Sequence, residues 1–376
     1  MAVILSDISV GYAGWVWGMR FVMFDVVPQN VLMSSAKSPL ECIPEGQCPK
    51  GLCRGPCSDT LNGHCATLPQ RACVWLEKLP DHTAMDMYGM EEDGSWTDMV
   101  GSQLKRKMLA GAFVELCEIH APRSGRLGDF VDQGRMLKPY FDAMTVTGQI
   151  KGRPVMPSAE ASGHLRAIGV ESIAVLSGRD CDATSLQAEL AVLQCNEVGN
   201  VICLSGDGGD PKAGPVQMAS VDMLRLAADV HDERRPWLGA VINPFSTPAS
   251  LPMIQLKQKL QAGANFLLTQ MIFDLPAFET FFKALTVDGL AERARVVAGV
   301  PVVVSEYGLE LAARLPGVWL PQEVEQQYEQ AADIREFGIA TARQTLAALR
   351  QIPGLAGVHL MLLGGHDPSD LLAVMQ

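Results

Sequence analysis

The sequence predicts an α/β fold, a (β/α)8 (TIM) barrel preceded by a small cysteine-rich domain. Eight short β-branched apolar runs recur from residue 113 onward at intervals of about thirty residues, each followed by helical periodicity. Six of the 10 cysteines fall between Cys42 and Cys73, in a segment rich in Pro and Gly. A doubly wound open sheet uses the same strand and helix alternation, so the count alone leaves that fold open.

The predicted strands are listed here in chain order. They are Phe113–Ile119, Ala143–Thr147, Ser172–Ser177, Asn200–Ser205, Leu238–Asn243, Phe266–Ile272, Val296–Val304 and Val358–Leu363. Apolar stripes on the intervening segments predict helices that pack on the sheet. These stripes include Leu186, Leu190 and Leu193, and also Met223, Leu224 and Ala227.

The acidic, polar stretch at residues 91–98 predicts a boundary between residues 1–98, a cysteine-rich and metal-binding module, and residues 99–376, the barrel. A helix is predicted over Met99–Ala110, directly after that boundary. The apolar stretch Ile8–Met19 is too short to cross a bilayer and lacks the features of a secretory signal, so we expect a buried strand or packed arm.

The formal net charge of −12, without a dense basic run, argues against nucleic acid and membrane partners. We therefore expect a cytoplasmic protein. In that compartment a cysteine cluster is better explained by a metal site than by disulfides.

Chemistry in a barrel sits where the strands end, and three polar features stand there. Glu118 lies one residue before the end of the first predicted strand, Gly206 and Asp207 follow the fourth, and Gln270 lies within the otherwise apolar sixth strand. An unpaired amide in that strand would cost roughly 1–3 kcal/mol, so Gln270 needs a partner or a role.

At these positions the chain resembles the methylenetetrahydrofolate reductase family. The stretch GAVINPFSTPASLPMIQLKQKLQAGANFLLTQMIFDLPAF (239–278) is similar to a family signature, and Glu118, the Gly206–Asp207 pair, Gln270 and LPGVWLPQEV (315–324) occur in family order. The resemblance covers residues 113–366. It implies a flavoprotein, normally with FAD, that reduces 5,10-methylenetetrahydrofolate to 5-methyltetrahydrofolate by hydride transfer.

The resemblance assigns a role to each of the three polar features. Glu118 would be the acid that opens the folate ring, Asp207 would lie against the flavin pyrimidine edge, and Gln270 would bind the pterin. The structural alternatives are a salt-bridged rim carboxylate, a turn-forming aspartate and a hydrogen-bonded core amide, respectively. His120, directly beyond the acid, is unusual for the family. It would tune Glu118, substitute as a proton donor or serve structure.

The same resemblance places further residues at the cofactor. These are Thr147, Ser177, Gly206, Asp207, Ala219 and Lys259, although a solvated helix face would also explain Lys259. The chain departs from the family pattern around this ligand. The departures are at 175–178, Ser205, Met218 and Pro252. They leave the identity, affinity and source of the flavin open: it could be FMN, could bind loosely or could be supplied by a partner.

Residues 48–75 resemble the small metal-binding domain associated with acetogen-type folate reductases. With no cysteine before Cys42, a single Zn²⁺ is expected in preference to an iron–sulfur cluster, and a metal-free fold is the third alternative. The candidate ligands are Cys42, Cys48, Cys57, Cys65 and Cys73. Cys53 is expected to be an extra thiol. The remaining cysteines, Cys117, Cys181, Cys195 and Cys203, are expected to be core residues.

Two function classes follow from these features. The first is a flavin-dependent oxidoreductase interconverting methylene- and methyl-tetrahydrofolate. Its expected partners are a tetrahydrofolate derivative, a reduced nicotinamide or partner redox protein, and further copies of the chain in a homo-oligomer. The second is a flavin-free folate-binding barrel that serves as a methyltransferase component or binding subunit. Glu118 favours catalysis, whereas Gln270 fits both.

Overall fold

The architecture is taken from a computed structural model, in which every described residue belongs to the compact unit Ser38–Gln376. The described residues are 48–50, 52, 57, 60–65, 68–76, 101–123, 126–148, 155–179, 181–206, 218–229 and 235–376. The predicted apolar arm Ile8–Met19 and the predicted domain boundary at residues 91–98 lie outside them.

Eight parallel strands close into a barrel in the order β10-β3-β4-β5-β6-β7-β8-β9, which confirms the (β/α)8 prediction and excludes an open sheet. The strands are β3 Val114–His120, β4 Ala143–Thr147, β5 Ser172–Ser177, β6 Asn200–Leu204, β7 Trp237–Ile242, β8 Phe266–Met271, β9 Val296–Val303 and β10 Gly357–Leu363. Each lies within one residue of its predicted bounds. The last strand pairs with the first, Leu360 opposite Cys117, so the barrel closes only when β10 is in place.

Helices follow the strands on the outside of the barrel. They are α1 Gln103–Leu109, α2 Leu127–Leu137, α3 Ser158–Ala167, α4 Ala183–Cys195, α5 Ser220–Ala228, α6 Leu251–Gln261, α7 Leu275–Val287, α8 Ala291–Ala294, α9 Glu306–Arg314, α10 Gln322–Glu329, α11 Ile334–Leu349 and α12 Ser369–Met375. Within the described part of the chain, no helix combines the length and the apolar character needed to cross a membrane.

Helix α1 closes the amino-terminal end of the barrel. Its Leu104 and Met108 pack into a cluster with inward-facing strand residues such as Val114 and Phe266. The helix begins at Gln103, not at the predicted Met99, because Ser102 has extended backbone and its hydroxyl accepts a hydrogen bond from Lys105 N at 3.0 Å.

A close aromatic contact fills the bottom of the barrel. Trp237 and Phe266 stack with ring centroids 4.9 Å apart, a contact that contributes about 0.5–1.5 kcal/mol beyond its buried area. Gly239 makes room for this pair, because a Cβ there would lie 2.4 Å from the Phe266 ring. The apolar floor leaves the opposite, carboxyl-terminal end of the barrel for polar side chains.

The outer core lies between the strands and the surrounding helices. Leu186, Leu190 and Leu193 on α4 are buried there, as the apolar stripe predicts, and so are Met223, Leu224 and Ala227 on α5. Three of the four barrel cysteines, Cys117, Cys181 and Cys203, are buried as predicted. The prediction is wrong for Cys195, which is exposed at the end of α4.

The described part of the cysteine-rich segment contains a two-stranded antiparallel hairpin, β1 Thr60–Leu61 and β2 His64–Cys65. Trp75 is fully buried beside it and packs against Cys48 and Cys73. So small an apolar cluster supplies little of the burial that a domain of this size needs for stability. Contacts with the barrel, or a bound metal, therefore matter to its folding.

Candidate active site at the carboxyl ends of the barrel strands

Glu118 enters the mouth of the barrel because of the alternation along β3. Val114 and Leu116 face the interior floor, whereas Cys117 and Ile119 face the outer helices. Glu118 is the next residue along β3 whose side chain faces the barrel interior, and that side chain is 22% exposed. The carboxyl group is therefore half-buried at the upper, carboxyl-terminal end of the interior.

The surroundings of Glu118 favour its protonated form. Among the described residues, its carboxylate accepts no hydrogen bond, and its one ion-pair contact is His120, with Nδ1 3.9 Å from Oε1. Burial raises the pKa of the Glu118 carboxyl, and the charge of a protonated His120 opposes part of that rise. A carboxyl that keeps its proton to higher pH can serve as a general acid near neutrality.

His120 is held by the end of the neighbouring strand β4. Its Nδ1 lies 2.6 Å from Thr147 Oγ1, and the Thr147 hydroxyl donates to the Ile119 carbonyl at 3.3 Å. A threonine hydroxyl has one proton to donate, so Thr147 accepts from a protonated His120 Nδ1. The imidazole is thus oriented by β4 while its side chain remains 50% exposed.

The proposed cofactor residues on β4, β5 and β6 lie on adjacent strand ends. Thr147 and Ser177 end β4 and β5, and Gly206 follows β6 with φ of +80°. A Cβ at position 206 would lie 2.3 Å from Ser177 Oγ, so only glycine allows this approach. The amide of Ser220 donates to Ser205 Oγ at 2.9 Å, which brings Ala219, directly before α5, to the same strand end.

These four positions offer hydroxyl, backbone and methyl groups, which can hydrogen-bond to and pack against a planar heterocycle, so they fit a flavin. Lys259 stands apart on α6. Its side chain is buried and its ammonium donates to the carbonyl of Val241 on β7. Asp207 lies outside the described residues.

Gln270 lies half-buried on β8, at the same end of the barrel. Its Nε2 donates to the Pro316 carbonyl at 3.3 Å and its Oε1 accepts from Met271 N at 3.0 Å. Asn243, which directly follows β7, donates to the Gly317 carbonyl at 2.7 Å. Two amides near strand ends thus bind the start of the segment 315–324, which the sequence analysis identified only as a motif. It missed Asn243, although an asparagine after an apolar strand was a visible signal.

The cysteine-rich segment contacts the barrel at this same end. Lys50 is 3% exposed, and its Nζ donates to the Gly206 carbonyl at 3.3 Å. Thr247 lies in the loop after β7. Its amide donates to the Thr60 carbonyl at 3.1 Å, and its hydroxyl oxygen accepts from the Gly63 amide at 2.9 Å. Sequence reasoning missed Lys50, whose signal was its position two residues after Cys48 in the segment 48–75. The described part of the cysteine-rich segment therefore borders the mouth of the barrel.

Four of the five predicted metal ligands line one small cavity with Lys50 and Trp75. They are Cys48, Cys57, Cys65 and Cys73. Cys42 lies outside the described residues, and so does the extra thiol Cys53. A set of four thiols matches the chemistry of a structural zinc site. In the described part of the chain, however, no three Cys, His, Asp or Glu side chains are arranged as metal ligands.

The fold and the site together define a (β/α)8-barrel protein with a half-buried carboxyl of raised pKa at its mouth. A sequence profile described as "Methylenetetrahydrofolate reductase" matches residues 117–369, which is more than half of the chain. The chain therefore belongs to the methylenetetrahydrofolate reductase family. A second profile, described as "Methylene-tetrahydrofolate reductase C terminal", matches residues 37–94, the segment with the cysteine cluster.

Individual proteins are more distant. The 5,10-methylenetetrahydrofolate reductases of Salmonella typhimurium and Escherichia coli are each 25% identical over 169 residues. Each match covers 44% of this chain and 56% of the relative, so the chain spans about half the length of the curated relatives it matches.

A solved structure is similar over 72% of this chain and 96% of its own, with a TM-score of 0.58 and 13% sequence identity. It is an uncharacterized protein from Clostridium thermocellum described as binding two copies of 5-methyl-5,6,7,8-tetrahydrofolic acid. At that identity the likeness establishes the barrel fold.

Proposed function

We propose that this chain is a flavin-dependent oxidoreductase that interconverts 5,10-methylenetetrahydrofolate and 5-methyltetrahydrofolate by hydride transfer. The observation that carries the proposal is Glu118, a carboxyl with a raised pKa at the mouth of the barrel. Family membership supports the substrate class, and the position of the acid supports chemistry beyond binding.

The reductive direction needs a proton before it needs a hydride. Glu118 gives its proton to a nitrogen of the folate five-membered ring, the carbon–nitrogen bond breaks, and the carbon becomes an iminium that accepts hydride. A flavin bound beside Thr147, Ser177, Gly206 and Ala219 would supply that hydride. Glu118 is left as a carboxylate, and in the oxidising direction the same carboxylate takes the proton back.

Gln270 is the proposed contact for the pterin. Its amide carries both a donor and an acceptor, which suits the mixed edge of that ring. In the described structure these groups bond to Pro316 and Met271, so substrate would exchange with, or add to, those bonds. Asp207, next to Gly206 in the chain, remains the proposed contact for the flavin pyrimidine edge.

The first experiment is an anaerobic absorbance spectrum of the purified protein, with reconstitution by FAD or FMN. A flavin band that NADH or a reduced redox protein bleaches, and that methylenetetrahydrofolate restores, is the expected result. A flavin that is reduced but never reoxidised by the folate would refute the proposed substrate. A colourless protein that cannot be reconstituted would refute the redox function.

A colourless protein would instead agree with a second candidate function. That candidate is a flavin-free folate-binding barrel acting as a methyltransferase component or binding subunit. The binding of 5-methyltetrahydrofolic acid described for the Clostridium thermocellum protein of similar fold favours testing it. Calorimetric titration of the colourless protein with 5-methyltetrahydrofolate separates the two functions. Saturable binding without flavin would support the second candidate, and no binding would reject both.

We also propose that the module binds one Zn²⁺ through the four cysteines that line its cavity, with Cys42 as a fifth candidate ligand. The shared cavity supports this, although the thiols must move inward from their described positions to surround an ion. Metal analysis should find about one zinc per chain, and less in Cys65→Ser than in Cys195→Ser, a change at an exposed thiol. Iron with acid-labile sulfide would instead identify a cluster.

A further inference from the structure

Among the described residues, His120 is the group beside Glu118 that could exchange a proton with both the acid and solvent. The carboxylate accepts no hydrogen bond from the described residues, and His120 is its one ion-pair contact among them. Histidine is the side chain that can carry or release a proton near neutral pH, and the His120 ring is half exposed. The ring therefore lies beside the carboxyl group and is itself in contact with solvent.

The His120 ring is oriented by Thr147 so that Nδ1 lies on the side of the acid. Thr147 Oγ1 accepts from Nδ1, because the Thr147 hydroxyl proton is given to the Ile119 carbonyl. The same Nδ1 is the ring atom nearest Glu118, 3.9 Å from Oε1. That separation exceeds a hydrogen bond, so transfer takes one bridging water or a small rotation of the imidazole.

Of the described residues, the other polar groups on β3 and its neighbouring strands do not suit this role. On β4, Thr145 and Thr147 are uncharged hydroxyls. On β10, burial lowers the pKa of His359 to about 3, so the ring is neutral, and its Nε2 bonds to Thr145 Oγ1 at 2.8 Å. On β3 itself, burial raises the pKa of Cys117, which stays a thiol on the outward face. Among these described groups, His120 is thus the one that pairs a half-exposed imidazole with a contact to the acid.

We propose that His120 is a positioning and proton-relay residue, which returns a proton to Glu118 after each reductive turnover. The inference rests on the proposed function, in which Glu118 loses one proton per turnover. The imidazolium gives its Nδ1 proton to Glu118 Oε1, leaving a neutral ring protonated on Nε2 and a neutral carboxyl. A solvent proton then binds Nδ1 of the exposed ring and restores the imidazolium.

The test compares the first turnover with later ones. The proposed relay replaces the proton that Glu118 gives up in a turnover, so it is needed only from the second turnover onward. In His120→Ala, single-turnover reoxidation of the reduced flavin by methylenetetrahydrofolate should stay within about twofold of wild type. Steady-state turnover should fall by about tenfold, less than the loss of a direct general acid. Added imidazole should restore it in a saturable manner.

Two further variants separate proton transfer from structure. His120→Asn keeps an N–H that can donate to Thr147 but carries no titratable proton, so it should be slow in steady state and not rescued by imidazole. His164→Ala is the matched control, because His164 forms a similar pair with Glu160, 3.7 Å apart, on the outer helix α3. It should turn over like wild type.

The outcomes are distinct. Equal steady-state rates for wild type and His120→Ala would overturn the relay and leave the proposed function intact. An equal loss in the first and later turnovers, without rescue, would also overturn it and make His120 a binding or structural residue. A wild-type protein whose reduced flavin is not reoxidised by the folate would overturn the proposed function itself, and the relay with it.

Discussion

Replacement of Glu118 by glutamine removes the transferable proton while keeping the size and shape of the side chain. If Glu118 opens the folate ring, reoxidation of the reduced flavin by methylenetetrahydrofolate should slow by about 10²–10⁴-fold. That loss is equivalent to roughly 2.7–5.5 kcal/mol in the activation barrier. Reduction of the flavin by its electron donor does not use this proton, so its rate should be unchanged.

The role of Glu118 also predicts how the rate of the folate half-reaction changes with pH. Because burial raises the pKa of Glu118, its acid form persists to higher pH than that of an ordinary glutamate. The folate half-reaction should therefore be fast at low pH and should decline as pH rises through that raised pKa. In Glu118→Gln the decline should be absent, because glutamine does not titrate.

The assay is anaerobic stopped-flow absorbance of the flavin, with the two half-reactions measured separately. Glu115→Gln is the matched control, because Glu115 lies on the same strand but pairs with Arg350 and is partly exposed. Loss of such a pair costs about 0–1 kcal/mol of stability and should not affect the chemistry. A wild-type folate rate in Glu118→Gln, with the pH decline retained, would show that another group is the acid.

Two further predictions concern the barrel itself. In urea denaturation, Gly206→Ala should lower the free energy of unfolding by more than Gly354→Ala. Both glycines have φ near +80°, which costs an alanine about 1–2 kcal/mol, but only a Cβ at position 206 would also clash with Ser177. Equal losses of stability in the two variants would contradict the clash. In His359→Phe, the free energy of unfolding should fall less steeply with decreasing pH than in wild type. The buried His359, with its pKa lowered from 6.5 to about 3, contributes stability that is present above pH 6.5 and lost as pH falls toward 3, at up to about 1.4 kcal/mol per pH unit. Identical pH–stability curves would show that this histidine is not the source.

The barrel could be predicted from the sequence because each strand carries its own local signal. Buried parallel strands are short continuous apolar runs, and the helices between them show their inner stripes, so all eight strands were located within one residue. The less accurate predictions came from single side chains. Ser102 caps the amino-terminal end of α1, so the helix begins at Gln103 and not at the predicted Met99. Cys195 is exposed at the end of α4.

The composition of the site was predictable only in part. Residues at or near the ends of strands, such as Glu118 and Thr147, can be placed at the mouth because the carboxyl ends of all barrel strands lie on one side. Contacts between distant segments leave no periodic trace in the sequence. The hydrogen bond from Lys50 to Gly206 joins residues 156 positions apart, and no local pattern predicts such a partner.

The docking of the hairpin on Thr247 has a consequence for biosynthesis. Gly63 and Thr247 are 184 residues apart, so the hairpin emerges from the ribosome long before its binding surface exists. At typical synthesis rates of about 5–20 residues per second, the delay is roughly 10–40 s. During that interval the cysteine segment meets cellular zinc, or an oxidant, as an undocked chain. Metal supply at the time of translation would then decide how much of the protein matures with its module in place.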